Sequence, residues 1–170
     1  MLVVNILLGA LIALSAGAQV NVIAGRVVRV VDGDTVSVLD EHSRTHRIRL
    51  AGIDAPECNM PYGRQSKVLL EALTLNEDVV LIPQGPDRYG RTLATLTMGR
   101  RDVNLTMLQA GLAWQYNRRS RARHTLEYAA YSTAEAQARV GRLGLWQGAV
   151  QIAPWDWRRS HAGHRRGGCG

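Results

Sequence analysis

The run Val22-Ile-Ala-Gly-Arg-Val-Val-Arg-Val-Val31, then Asp32-Gly33, then Asp34-Thr-Val-Ser-Val-Leu39, decides the architecture. Both apolar stretches are dense in β-branched side chains, which are stiff at χ1 and suit a pleated backbone. Asp-Gly between two such stretches signals a hairpin. Working outward, Asp40 to Arg44 is a polar turn and Thr45 to Ile53 a third strand. Strand alternation puts Ile48 and Leu50 on one side and Arg47 and Arg49 on the other. Pro61 to Leu75 has the helical period, with Val68, Leu69, Ala72, Leu73 and Leu75 as its apolar stripe. Asp78–Pro83 and Arg91–Met98 are two more strands joined by a Gly/Pro loop. Val103–Ala110 is a short helix with Gly111 as its stop, and Thr125–Val140 is an Ala-rich helix.

The resulting order is β-β-β-α-β-β-α-α. It predicts an α+β fold dominated by β, a five-stranded OB-type barrel with three helices. A chain of 170 residues holds one such domain with extras at each end. The expected division is a signal peptide over 1–18, the barrel domain over 19–148 and a Trp/Arg-rich C-terminal tail over 149–170. The signal reading rests on an uncharged N-terminal stretch from Met1 to Ala24, an apolar heart, and the small-residue pattern Ala16-Gly17-Ala18. It predicts a secreted or periplasmic protein. The alternative is a protein anchored to a membrane by an uncleaved N-terminal segment, against which Asn5, Gln19 and Asn21 interrupt the apolar run. Two cysteines, Cys58 and Cys169, exclude a disulfide scaffold, though they can pair in an oxidising compartment.

Lys and Arg number 21 against 14 Asp and Glu, a net charge of +7, and all of the cations but Lys67 are arginine. Such a surface attracts polyanions, nucleic acid among them. The residues able to do chemistry lie in Asp32-Gly-Asp34-Thr35, Arg49-Leu-Ala-Gly-Ile-Asp54-Ala-Pro-Glu57, Tyr62-Gly63-Arg64 and Asp87-Arg-Tyr-Gly-Arg91. Asp34, Asp54 and Glu57 sit at strand ends or beside them. Oxygen donors of this kind suit a hard cation, Ca²⁺ or Mg²⁺, and not zinc. Pro56 fixes its own φ and biases Ala55 to an extended form, holding Asp54 and Glu57 in a set relation. Arg49 and Arg91 are planar, permanently charged forks that bind phosphate oxygens in pairs. In the tail, Trp155 and Trp157 are expected to fold back over apolar barrel surface, with base stacking as the alternative.

Together these segments, with Val103-Asn104 and Gly111-Leu-Ala behind them, resemble the staphylococcal nuclease (thermonuclease) family from about Ala24 to Trp146. The resemblance implies an OB-fold endonuclease that uses Ca²⁺, or Mg²⁺ or another divalent cation in its place. Its partners are then DNA and RNA substrates, cut to 3′-phosphate products, with a monomer and no obligate protein partner expected. It implies that Asp34, Asp54 and the backbone carbonyl of Ala55 hold the metal. Arg49, Glu57 and Arg91 then form the catalytic set, with Glu57 as general base. Arg88 and Tyr89 fall where the family contacts a terminal phosphate, and Tyr116 where a tyrosine lines the base pocket. The competing class is a non-catalytic OB-fold module that binds nucleic acid, which would be expected to lose some of these five charged residues. On this reading Arg49→Ala removes most activity at a nearly unchanged thermal midpoint.

Overall fold

The computed structural model describes residues 22–116 and 125–161. The expected signal segment 1–18, His164 and Cys169 lie outside them. The hairpin is there: β1 (Ile23–Asp32) pairs antiparallel with β2 (Thr35–Asp40), with Asp32 opposite Thr35 across the Gly33-Asp34 turn. The register of β1 slips twice, between Val27 and Arg29 and between Val30 and Asp32. Each slip bends and twists the strand. Its first residues, Ile23–Arg26, can therefore also pair with β5 (Asp78–Pro86). β3 (Thr45–Leu50) continues the sheet from β2, and β6 (Thr92–Met98) from β5. A parallel pairing of β3 with β6, Ile48 to Thr92 through Leu50 to Ala94, closes the five strands into a barrel.

The third strand is shorter than its composition predicts. It stops at Leu50, turns through Ala51-Gly52, and resumes as the two-residue β4 (Ile53–Asp54). β4 pairs outside the barrel with β8 (Trp114–Gln115). A further short strand, β7 (Arg101–Asp102), pairs with β6 and leads into α2 (Val103–Gln109). Asp102 caps α2 by accepting from the Leu105 N–H at 2.9 Å. The other expected helices form as α1 (Gly63–Thr74) and α3 (Leu126–Val140).

The barrel interior is aliphatic: Val27, Val36, Val38, Ile48, Leu50, Leu81 and Leu96 are fully enclosed, with Leu70 of α1 and Met107 and Leu108 of α2 closing one end. The chain has no phenylalanine. Its tryptophans gather outside this core, where Trp146 packs against Ala138 and Leu145, with Tyr62 and Trp114 beside them. Asn104 is fully buried and joins three segments. Its side chain accepts from the Leu96 N–H and donates to the carbonyls of Ala51 and Ala94. Each buried backbone group thus finds a partner, and the turn between β3 and β4 is pinned to β6.

The tail departs from expectation. Pro154–Ser160 forms a fourth helix, α4, where an irregular segment was expected. Proline at its first position, Asp156 in the first turn and Arg158 and Arg159 in the last suit the helix dipole. Trp155 folds back as expected, stacking on Tyr116 with ring centroids 5.2 Å apart and meeting Trp114 edge-on at 5.6 Å. Among the described residues no helix is long and apolar enough to cross a membrane.

Candidate active site

One end of the barrel opens into a cleft of about 610 Å³. Its wall includes Asp34, Arg49, Asp54, Ala55, Glu57, Arg88, Tyr89, Arg91 and Tyr116, every residue given a catalytic, metal or substrate role above, while Tyr62, Gly63 and Arg64 lie outside it. The β1–β2 turn supplies Asp34, the end of β3 supplies Arg49, and β4 with the segment after it supplies Asp54, Ala55 and Glu57. The β5–β6 loop supplies the remaining pair of arginines and Tyr89.

The two turns that carry the acids are locked together. The Ala55 N–H donates to Asp34 Oδ2 at 2.7 Å, across 21 residues of sequence. Close packing does the rest. A β-carbon on Gly33 would lie 2.0 Å from Ser66 Oγ on α1 and 2.8 Å from the methyl of Ala55. One on Gly63 would lie 1.9 Å from the carbonyl oxygen of Glu57. Glycine is required at both places because the backbones approach too closely for any side chain.

Arg49 is the hub of the acidic group. It is only 8 % exposed. Its Nη1 donates to the carbonyls of Leu50 and Ile53 at 2.8 and 2.9 Å. Its Nη2 meets Asp54 Oδ1 at 2.8 Å and Asp34 Oδ2 at 2.9 Å. Three of the terminal N–H groups of the fork are thereby hydrogen-bonded, and Asp34 is held as an ion pair. Burial alone would lower its pKa, and the carboxylates of Asp34, Asp54 and Asp32 reverse that and raise it. The expectation of an unchanged thermal midpoint for Arg49→Ala does not survive. That substitution would leave Asp34 buried without its counter-charge and Asp54, which is fully enclosed, with Arg158 of α4 as its remaining partner.

Arg91 is placed differently. Its Nε donates to Asp87 Oδ2 at 2.7 Å, and its backbone N–H to Asp87 Oδ1 at 3.0 Å. Nη1 has a longer contact, 3.3 Å, to Thr35 Oγ1. Burial would raise the pKa of Asp87, but the hydrogen bonds from Arg91 and from the Tyr89 N–H hold it below the usual range. Arg88 lies over the Tyr89 ring, 4.7 Å from its centroid.

Two residues in this cleft carried no assignment from sequence. Asp32 accepts from the Asp34 N–H at 3.1 Å. Burial and the neighbouring Asp34 charge push it up to about 7. Its place in the Asp-Gly-Asp turn was visible, and its burial was not. Arg158 comes from α4. Its Nη2 lies 2.5 Å from Asp54 Oδ2, and its Nη1 is 2.7 Å from Glu57 Oε1 and 3.2 Å from Asp54 Oδ1. No local signal links positions 104 residues apart. Beside this group, Cys58 is held in a disulfide.

The acids fit a hard cation by donor type, and a positive group already lies against Asp54 and Glu57 in the form of Arg158. Burial raises the pKa of Asp54, opposed by Arg49 and Arg158, so a charge of +2 would relieve a real excess of enclosed negative groups. Among the described residues no three acidic, histidine or cysteine side chains surround a common point. The two guanidinium groups stand between the acids instead.

A family model described as staphylococcal nuclease homologue matches residues 47–148. A micrococcal nuclease of Shigella flexneri is 37 % identical over 126 residues, covering 69 % of this chain and 70 % of that protein. An uncharacterised endonuclease of Haemophilus influenzae is 36 % identical, over 69 % of this chain and 62 % of its own length. A staphylococcal-like nuclease of Arabidopsis thaliana is 32 % identical over 71 % of this chain, which spans only 36 % of the plant protein.

Proposed function

The chain belongs to the staphylococcal nuclease homologue family, and on that premise we propose that it is a metal-dependent endonuclease hydrolysing phosphodiester bonds of DNA and RNA to 3′-phosphate products. The observation that carries this reading is the convergence of Arg49, Arg91, Asp34, Asp54 and Glu57 on one cleft. In this reading the protein is secreted or periplasmic, in keeping with the N-terminal segment and with a disulfide at Cys58.

Asp34, Asp54 and the carbonyl of Ala55 would hold the cation, Ca²⁺ before Mg²⁺. When bound, it supplies charge neutralisation at the phosphate and acidifies a coordinated water. Glu57 sits at the rim of the acids, partly exposed, where a carboxylate can take the proton of an attacking water. Arg91 has terminal N–H groups turned to the cleft and donates them to the phosphate oxygens, where charge grows in the transition state. Arg49 lines the same cleft and adds its positive charge behind the phosphate, its fork being bonded to protein acceptors. Arg88 and Tyr89 bind a neighbouring phosphate, and Tyr116 offers a ring face to a base.

The deciding experiment is plasmid digestion by the full chain with Ca²⁺, with Mg²⁺ and with EDTA, beside Glu57→Gln. Cleavage that EDTA abolishes and Glu57→Gln slows by ~10²-fold or more supports the reading. No cleavage under any metal condition overturns it, and the non-catalytic binding barrel takes its place.

A further inference from the structure

Arg158 occupies the position where the proposed chemistry needs free carboxylate oxygens. Both oxygens of Asp54 and one of Glu57 accept from its guanidinium, while Asp54 Oδ1 also serves Arg49. A guanidinium with its hydrogens aimed at these oxygens and a divalent cation coordinated by them cannot share the site. Their charges repel, and the lone pairs are the same ones. The Glu57 oxygen that accepts from Arg158 is also turned to that guanidinium and not to an attacking water. The same helix also covers Tyr116, the proposed platform for a base, because Trp155 stacks on its ring, 5.2 Å between centroids and 28° from parallel.

Apart from the disulfide at Cys58, whose one possible partner within this sequence is Cys169 beyond α4, the attachment of α4 is non-covalent and can open. Among the described residues no backbone hydrogen bond joins it to the barrel, and its own run from Ala153 to His161 internally. Side chains hold it: Arg158 on the acids, and Trp155 on Tyr116 and Trp114. The segment leading into it exposes Val150 and Ile152 to solvent. Segments held by few contacts open at low free-energy cost.

From this we infer that α4 is an autoinhibitory latch, in which Arg158 stands in for the divalent cation and Trp155 for the nucleotide base, so that cation and latch compete for Asp54 while Glu57 is held away from the attacking water. The inference rests on the cation-dependent nuclease reading of the same carboxylates. A phosphate chain favours opening twice, by attracting Arg158 and by stacking on the uncovered Tyr116. The closed form therefore keeps the site idle where either cation or polyanion is scarce.

The test is Ca²⁺ affinity of the full chain by titration calorimetry for wild type, Arg158→Ala, Trp155→Ala and Arg159→Ala, with plasmid cleavage at limiting and at saturating Ca²⁺. Arg158→Ala should bind Ca²⁺ about tenfold tighter or more, because the apparent affinity carries the fraction of open molecules. Trp155→Ala changes no charge. A several-fold gain there distinguishes a latch from simple removal of a nearby positive group. Arg159, exposed and paired with Asp156 on the same helix, should leave the affinity unchanged. Cleavage rates of wild type and Trp155→Ala should differ at limiting Ca²⁺ and converge at saturation. If Trp155→Ala binds Ca²⁺ as wild type does while the protein still cuts, the latch is refuted and the nuclease reading stands. If no form binds or cuts, both fall together. Thermal midpoints of the variants, measured in parallel, show that each is folded.

Discussion

Arg49 and Arg91 look alike in the sequence, two arginines at strand ends beside acids, and the structure puts them in opposite regimes. Arg49 is sunk in the barrel wall, hydrogen-bonded to two carbonyls and Asp54 and paired by charge with Asp34. Arg91 is tethered by one edge to Asp87 and leaves the other toward the cleft. The acidic half of the site is thus part of the fold's own electrostatic balance, whereas the β5–β6 half is a mounted tool. A residue's role in chemistry and its role in stability separate in the second region and coincide in the first.

The sharpest way to break that comparison is Arg49→Ala. Loss of rate by ~10²–10³-fold should come with loss of stability of roughly 3–5 kcal/mol, because buried Asp34 loses its guanidinium partner and Asp54 loses one of two. Denaturant unfolding measures the second, and a variant with wild-type stability would dissolve the distinction. Arg91→Ala should cost a similar factor in rate but only about 1–2 kcal/mol in stability, since Asp87, though largely enclosed, keeps two backbone N–H donors.

Asp32 tests the buried half by pH. Its folded pKa, about 7, lies above the ordinary carboxylate value. The unfolded chain therefore releases this proton first, and the group removes stability as pH rises from about 4 to about 7, with no further loss above. Asp32→Asn should flatten the stability profile across that window. An unchanged slope between pH 5 and pH 8 would show that Asp32 is not the buried acid described. Asp87 gives the smallest effect and the opposite sign. Its pKa is lowered, so its contribution is present above about pH 4 and is lost as pH falls through the folded value. The stability gap between wild type and Asp87→Asn should close in acid, and the variant's rate should drop several-fold as Arg91 loses its tether.

The barrel was legible because its strands announce themselves through runs such as Val27 to Val31 and a hairpin turn at Asp32-Gly33. Those are local signals. The early stop of β3 at Leu50 was not, since Ala51-Gly-Ile continues an apolar run. The turn there is fixed by Asn104, 53 residues away. The cleft residues were legible as a set, through motif order and the family resemblance. Their burial was not, because alternation placed Arg49 away from Ile48 and Leu50 without saying that the far side is also enclosed. Arg158 lay beyond reach altogether. Pro154 and the charges that follow suit a helix that the reading of a Trp/Arg-rich tail did not foresee, and nothing in a sequence says where a terminal helix docks.

The glycines at 33 and 63 have a consequence for how such a protein can change. With the β1–β2 turn, the start of α1 and the Glu57 backbone separated by less than the width of a methyl group, the acidic half offers no small steps. Any added atom there moves a proposed cation ligand or the proposed base. The room for gradual alteration lies in the β5–β6 loop and in α4, which touch the same cleft from outside that packing. An engineer seeking a new substrate preference has those two dials, and a fixed centre between them.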